Sequence, residues 1–256
     1  LGSLEAGIFK FVMPFPGLSH TGQVIVTNTI FVFIIVLGIS WWATRRLSLV
    51  PRGWQLIFEM TLGWLGGFMS DIMGKKSGPR YLPLIASFFL FVLAGNLIGL
   101  IPGCTSPTSN INTNLGLALI AFLATFFVGI REIGLKGYLK HKMGPVLAIA
   151  PVLFLLETVG EFSRPISLTL RLFGNIMGED VLIMVLNKLA GMLGYIPMIP
   201  VMMAILILPI ITSLVQAFIF ALLPTIYFAG AMGWGEHEQH SEHTEVSKEQ
   251  AEQQNT

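Results

Sequence analysis

Six charged side chains stand between Glu157 and Asp180, in a background otherwise apolar enough to cross a membrane: Glu157, Glu161, Arg164, Arg171, Glu179 and Asp180. On a helix turning about 100° per residue, Glu157, Glu161, Arg164, Leu168, Arg171, Asn175 and Glu179 fall in a stripe roughly 80° wide. Only Leu168 among them is apolar. Gly160, Ser167, Gly174 and Gly178 occupy an adjacent strip, roughly 40° wide, and small residues of this kind let a second membrane helix come close. An arginine at mid-bilayer costs about 2.5–3.5 kcal/mol on insertion scales, so it needs water or a counter-ion. Arg171 therefore brings a charge that must be met to the border of a tight helix contact.

A guanidinium does not release its proton in proteins, so Arg171 is no proton carrier. It favours the charged form of any carboxyl brought close to it, and in that way expels the carboxyl's proton. Glu161 and Glu179 lie ten and eight positions away on the same helix, which leaves the partner to another chain. Acids on both sides of Arg171 fit a path divided in two, with Glu157 and Glu161 toward the cytoplasm and Glu179 and Asp180 toward the outside. Arg171 between them would repel a bare proton from leaking across. The plainer alternative pairs Glu161 with Arg164 at i, i+3 and gives Glu157 and Glu179 structural roles. On the last apolar segment Gln216 and Tyr227 share a face with Thr212, and Gln216 either reaches the polar stripe or forms an ordinary packing bond. Asn96, Thr113 and Asn114 border the outer side, as an aqueous entrance or as packing and capping groups.

The elements that must position these groups are membrane helices. The chain of 256 residues is 54% hydrophobic and 11% charged, with a mean hydropathy of +0.75. No charge occurs between Arg80 and Arg131, or between Lys188 and Glu236. This composition predicts an all-α polytopic membrane protein of about five to six helices. The net charge of +1 comes from short basic clusters between apolar runs, which gives no nucleic-acid surface. Cys104 is the only cysteine, so neither a disulfide nor a cysteine-based metal site is built within the chain. No Gly-rich phosphate loop with its lysine is present, and no cofactor, metal or catalytic residue is expected.

Residues 1–22 read as a loop or interfacial lead-in, and 24–42 as a first span ending in Trp41, Trp42, Arg45 and Arg46. Basic residues on that end face the cytoplasm, which puts the N-terminus outside. Residues 53–73 have basic clusters on both flanks and read as an interfacial or re-entrant helix with Trp54 and Trp64 near the headgroups, or else as a span packed in the bundle. Residues 82–101 cross outward, the loop 102–112 contains no Lys or Arg, and 113–130 return to Arg131, Lys136, Lys140 and Lys142. Residues 146–189 would make a helix about 66 Å long against about 30 Å of hydrocarbon, so it breaks or inclines. The charged stripe keeps its phase across Pro165, which favours one inclined helix. An uncharged turn at 191–200 and a return at 201–234 complete an inclined hairpin, residues 146–234, within a single membrane domain, residues 1–235. Residues 236–256 read as a disordered acidic cytoplasmic tail, in which His237, His240 and His243 are solvated rather than metal-bound. No internal repeat accompanies these spans, which counts against an inverted-repeat transporter.

The string SLTLRLFGN around Arg171, with Glu157 fourteen residues before it and QAFIF from Gln216 with Tyr227 beyond, resembles the subunit a family of bacterial F-type ATP synthases. The likeness spans residues 24–232. It implies a non-catalytic stator subunit of the bacterial plasma membrane, held by peripheral-stalk b subunits and the other synthase subunits beside a rotating ring of c subunits. Each ring subunit would carry a membrane carboxylate, and the stator would form two proton half-channels against the ring. Arg171 matches the family's essential arginine, while Glu157, Asn175, Gln216 and Tyr227 match its polar hairpin positions. Glu161, Arg164, Ser167 and Asn96 are secondary candidates. Many bacterial members read Ala-Gly-Glu two residues after the Asn, whereas here Glu179 replaces the Gly and Asp180 stands in the acid's place, so the outer acid is Glu179 or Asp180. Pro209 stands where some relatives carry a histidine. The competing function is a self-contained transporter or channel with Arg171 binding an anionic substrate.

Overall fold

The computed structural model describes residues 20–45, 53–101, 106–143, 150–193 and 195–232. The lead-in before residue 20, Cys104 and the tail from residue 236 with its histidines lie outside these. Five helices, α1 (His20–Thr44), α2 (Trp54–Gly99), α3 (Ile111–Met143), α4 (Ala150–Leu193) and α5 (Tyr195–Ala231), and a 3₁₀ turn at Pro107–Ser109 make an all-α bundle. Four stretches are long and apolar enough to cross a membrane: Gly22–Thr44, Gln55–Gly99, Ile111–Leu135 and Ile207–Ala231. Lipid leaves every backbone N–H and C=O to be satisfied within the protein, which is why uncharged runs of this length close into helices. The chain is a multi-pass membrane protein.

Two glycines break the helices. Gly74 (φ 81°, ψ 157°) in α2 and Gly134 (φ 73°, ψ 161°) in α3 take a backbone that a Cβ would strain. At Gly74 the chain doubles back: a Cβ on Gly78 would lie 2.8 Å from the Ser70 backbone, and one on Gly66 3.2 Å from Leu82. The arm 54–73 is packed into the bundle, with Leu65, Met69 and Met73 in the core. Trp64 and Phe68 stand against Phe218 of α5, ring centroids 5.1 and 5.2 Å apart. The second arm of α2 runs antiparallel to α5, Tyr81 on Phe228 and Phe88 on Phe220 at 5.8 and 5.9 Å. In lipid it is such close packing, rather than exclusion of water, that holds helices together.

At Gly134 the chain bends again, and Tyr138 returns to α3 so closely that a Cβ on Gly129 would lie 2.6 Å from its ring. Just before the bend, Glu132 Oε1 accepts hydrogen bonds from Arg80 Nη1 (2.8 Å) and Tyr81 Oη (2.6 Å), tying α3 to the second arm of α2. At the other end of the bundle the 3₁₀ turn packs against α1, α2, α3 and α4. There Ser106 Oγ donates to Gly95 O (2.8 Å), Thr108 Oγ1 to Asn96 Oδ1 (2.7 Å) and Asn114 Nδ2 to Thr108 O (2.7 Å).

Helix α4 runs unbroken through Pro165, which is buried, as the constant phase of the polar stripe predicts. At about 1.5 Å per residue it is roughly twice the hydrocarbon thickness, so it is strongly inclined. One expectation is corrected: α5 begins at Tyr195, so 191–200 is not an extended turn. Pro197 falls in the first helical turn, where the N–H that proline lacks has no intrahelical acceptor in any case.

Candidate functional site

Two side-chain contacts fix how α4 and α5 pair. Thr212 Oγ1 donates to Glu179 Oε1, and the Arg164 guanidinium lies 4.6 Å from the centroid of the Tyr227 ring. Both belong to one antiparallel register, which sets Asn175 level with Gln216 and Arg171 level with Phe220. Arg171 thus stands between two polar groupings on the hairpin, about 12 Å along the helix from Glu179 and about 15 Å from Glu161.

The grouping toward the C-terminal end of α4 centres on Glu179. Its Oε1 accepts from Asn175 Nδ2 (2.9 Å) as well as from Thr212. Gln216 and Ser213 are buried beside this region on α5, and Gln216 Nε2 and Ser213 Oγ have no hydrogen-bond partner among the described residues. The bond across the hairpin to Glu179 is made by Thr212, one turn from Gln216. Asp180 is exposed. Asn96, at the same end of the bundle, is buried in the hydrogen-bonded surroundings of the 3₁₀ turn, and its Nδ2 has no partner.

The grouping toward the N-terminal end of α4 centres on Glu161. This carboxylate is buried and accepts from Tyr138 Oη at 3.0 Å. It lines a cleft between α3, α4 and α5 together with Thr125, Phe126, Arg164, Leu168 and Tyr227. A cation over an aromatic face contributes about 0.5–1 kcal/mol at exposed sites and more when desolvated, so Tyr227 helps hold Arg164 in this cleft. Glu157, one turn earlier, is exposed. Beyond the apolar span Ile111–Leu135, burial first and the Glu161 carboxylate second push the Tyr138 hydroxyl up, so it stays a donor.

Arg171 itself is exposed, and none of the hydrogen bonds or ion pairs among the described residues involves it. The small-residue strip beside it is equally open. Ser167, Gly174 and Gly178 are exposed, and a Cβ on Gly174 or Gly178 would meet nothing within 4 Å. Ile166, Leu170 and Met177 complete this face with apolar surface. Its chemistry is that of a fixed cation on a face where another helix can seat, flanked along the helix by hydrogen-bonded acids. Tyr138 and Thr212, the groups that fasten Glu161 and Glu179, were not singled out for those roles from sequence. Both act across a separation in the chain, 23 and 33 residues, which only the folded bends and register define.

The profile of the family described as "ATP synthase A chain" matches residues 25–229. ATP synthase subunit a 1 of Pelobacter propionicus is 41% identical over 215 residues, 84% of this chain and 90% of the relative. ATP synthase subunit a 2 of Syntrophotalea carbinolica is 44% identical over 207 residues, 81% and 85% respectively. ATP synthase subunit a of Geobacter sulfurreducens is 41% identical over 215 residues, 84% and 90%.

Proposed function

The chain belongs to the ATP synthase A chain family, and from that premise we propose that it is the ion-translocating stator subunit of an F-type ATP synthase membrane sector. It is a non-catalytic subunit. A ring of c subunits, each with a carboxyl at mid-membrane, turns against the open face of α4 around Arg171, Gly174 and Gly178. A proton enters from outside past Asn96, Asp180 and Glu179, and Asn175 and Gln216 lead it to the ring. Carried round on the ring carboxyl, it comes to the other side of Arg171. There the guanidinium favours the ionised carboxyl, and the proton leaves by Glu161 and Glu157, past Arg164 and Tyr227. Ser167, beside Arg171 on the small strip, lets the ring helix come close. Because Arg171 stays charged, it closes the direct route between the two half-channels and forces the proton onto the ring.

The basic clusters Lys75, Lys76 and Arg80 after one helix break, and Arg131 beside the other, support a cytoplasmic side for that end of the bundle in a bacterial plasma membrane. The N-terminus is then outside and the C-terminus inside. Peripheral-stalk b subunits and the other synthase subunits hold the chain still, and lipid covers the remaining apolar face. α4 and α5 carry the ion path within one membrane domain.

The observation that carries this reading is the exposure of Arg171 between the Glu179 and Glu161 groupings on one hairpin. Replacing Arg171 by Ala in the intact synthase should abolish ring-coupled ATP synthesis while c and b subunits still copurify at normal yield. Retained synthesis would refute it. Saturable solute uptake by proteoliposomes holding this chain alone would instead favour the self-contained transporter.

A further inference from the structure

We propose that Tyr138 is a positioning residue of the inner half-channel, holding the Glu161 carboxylate in the cleft between α3, α4 and α5. The inference rests on the ion-path reading above and goes beyond it to a residue on α3.

Four observations converge on it. The first is the hydrogen bond itself, Tyr138 Oη to Glu161 Oε1 at 3.0 Å, between two buried side chains. The second is the backbone that delivers the ring. Gly134 adopts φ 73°, and the bend there turns the chain so that Tyr138, four residues on, faces back along α3. The third is the seat the ring occupies. Gly129 leaves a space that a Cβ would close to 2.6 Å, and Phe126 meets the ring edge to face at 5.9 Å. Phe126 also lines the cleft into which Glu161 projects, so the tyrosine packs directly behind the cleft wall. The fourth is that the start of the bend is itself tied down, since Glu132 accepts from both Arg80 and Tyr81. The same device thus appears twice: a glycine break followed within a few residues by a tyrosine whose hydroxyl is given to a glutamate on the next helix. The first copy fastens α2 to α3, and the second fastens α3 to the acid beside the ion path.

A carboxylate on a long side chain has several rotamers, and a proton passes only when donor and acceptor stand within hydrogen-bond reach. Holding one oxygen with the hydroxyl narrows the rotamers of a carboxyl that lines the cleft shared with Arg164 and Tyr227. Tyr138 need not exchange a proton to do this.

The test is Tyr138→Phe in the intact synthase, which keeps the ring in its seat and removes only the hydroxyl. Passive proton flux through the membrane sector, after removal of the catalytic head, is measured per assembled complex for Tyr138→Phe, Glu161→Gln and the double variant. The expected result is a flux roughly tenfold lower for Tyr138→Phe, as loss of one charge-assisted hydrogen bond implies, with normal yield of complex. The double variant should fall no further than Glu161→Gln alone. Should Glu161→Gln by itself stop the flux, the Tyr138→Phe value decides. Unchanged flux in Tyr138→Phe, a fully additive loss in the double variant, wild-type flux in Glu161→Gln, or loss of assembly with Tyr138→Phe would each overturn the inference. Arg171→Ala run alongside separates the two levels. If it retains coupled synthesis, the ion-path reading fails; if it loses synthesis while Tyr138→Phe conducts normally, only the role of Tyr138 does.

Discussion

Glu179 and Asp180 are adjacent in the chain, yet a helix turns successive side chains about 100° apart, so only one of them can face α5. Glu179 does, with Asn175 and Thr212 both donating to it, whereas Asp180 is exposed. In the proposed path the acid held by donors is the one that passes a proton on, and the exposed one is the easier to spare. Glu179→Gln is therefore expected to lower ATP-driven proton pumping into inverted membrane vesicles by about tenfold or more, and Asp180→Asn by less than about threefold. The reverse order would move the outer site to Asp180. Sequence left the two open because which residue of a pair faces the neighbouring helix is set by the register of the hairpin. That register rests on contacts such as Arg164 on Tyr227, 63 positions apart. Arg171, by contrast, was legible at once, because a charge in an apolar run needs no tertiary information to be conspicuous.

The helices divide in the same way. The continuity of α4 through Pro165 was readable because a broken helix would have thrown the polar stripe out of phase, and it stays in phase from Glu157 to Glu179. The bends at Gly74 and Gly134 were not readable, since the chain has 27 glycines and nothing local marks the two that bend a helix. The start of α5 was hidden because Pro197 resembles a turn residue, although the first turn of a helix accepts proline. The bends make a stability prediction. A Cβ at Gly134 faces open space, so Gly134→Ala pays only for a backbone of positive φ and extended ψ that is nearly restricted to glycine, about 1–3 kcal/mol. Gly116 also faces open space but lies within the regular part of α3, where Ala is favoured over Gly by about 0.8–1 kcal/mol. Heating the purified complex and following release of this chain should therefore show Gly134→Ala leaving earlier than the parent and Gly116→Ala no earlier. Equal behaviour of the two would mean that the Gly134 bend is not held in the assembled complex.

At the scale of the whole molecule, the two ends of the bundle differ in chemistry, and that difference orients it. One end carries Lys75, Lys76, Arg80 and Arg131, gathered there by the two glycine bends and the Arg80–Glu132 pair. The other is closed by the uncharged 3₁₀ turn with its Ser106, Thr108, Asn96 and Asn114 hydrogen bonds, and Lys188 near the end of α4 is the exception on that side. Lysine and arginine flanking short loops stay on the cytoplasmic side of a bacterial membrane, which supports the proposed arrangement with the bends facing in. Among the described residues four bases stand at that end, so a lone Lys188 at the other does not reverse the bias. Asn112, at the start of α3, and Lys75, just past the first bend, are both exposed and mark the two ends. In a Cys104→Ser background, a membrane-impermeant maleimide should label Asn112→Cys in intact spheroplasts and leave Lys75→Cys untouched. In inverted vesicles the pattern should exchange. Labelling of Lys75→Cys from outside would invert the whole arrangement, making the Glu179 grouping the inner half-channel and the Tyr138–Glu161 grouping the outer one, so the sidedness of every step assigned to α4 is decided by this one pair of cysteines.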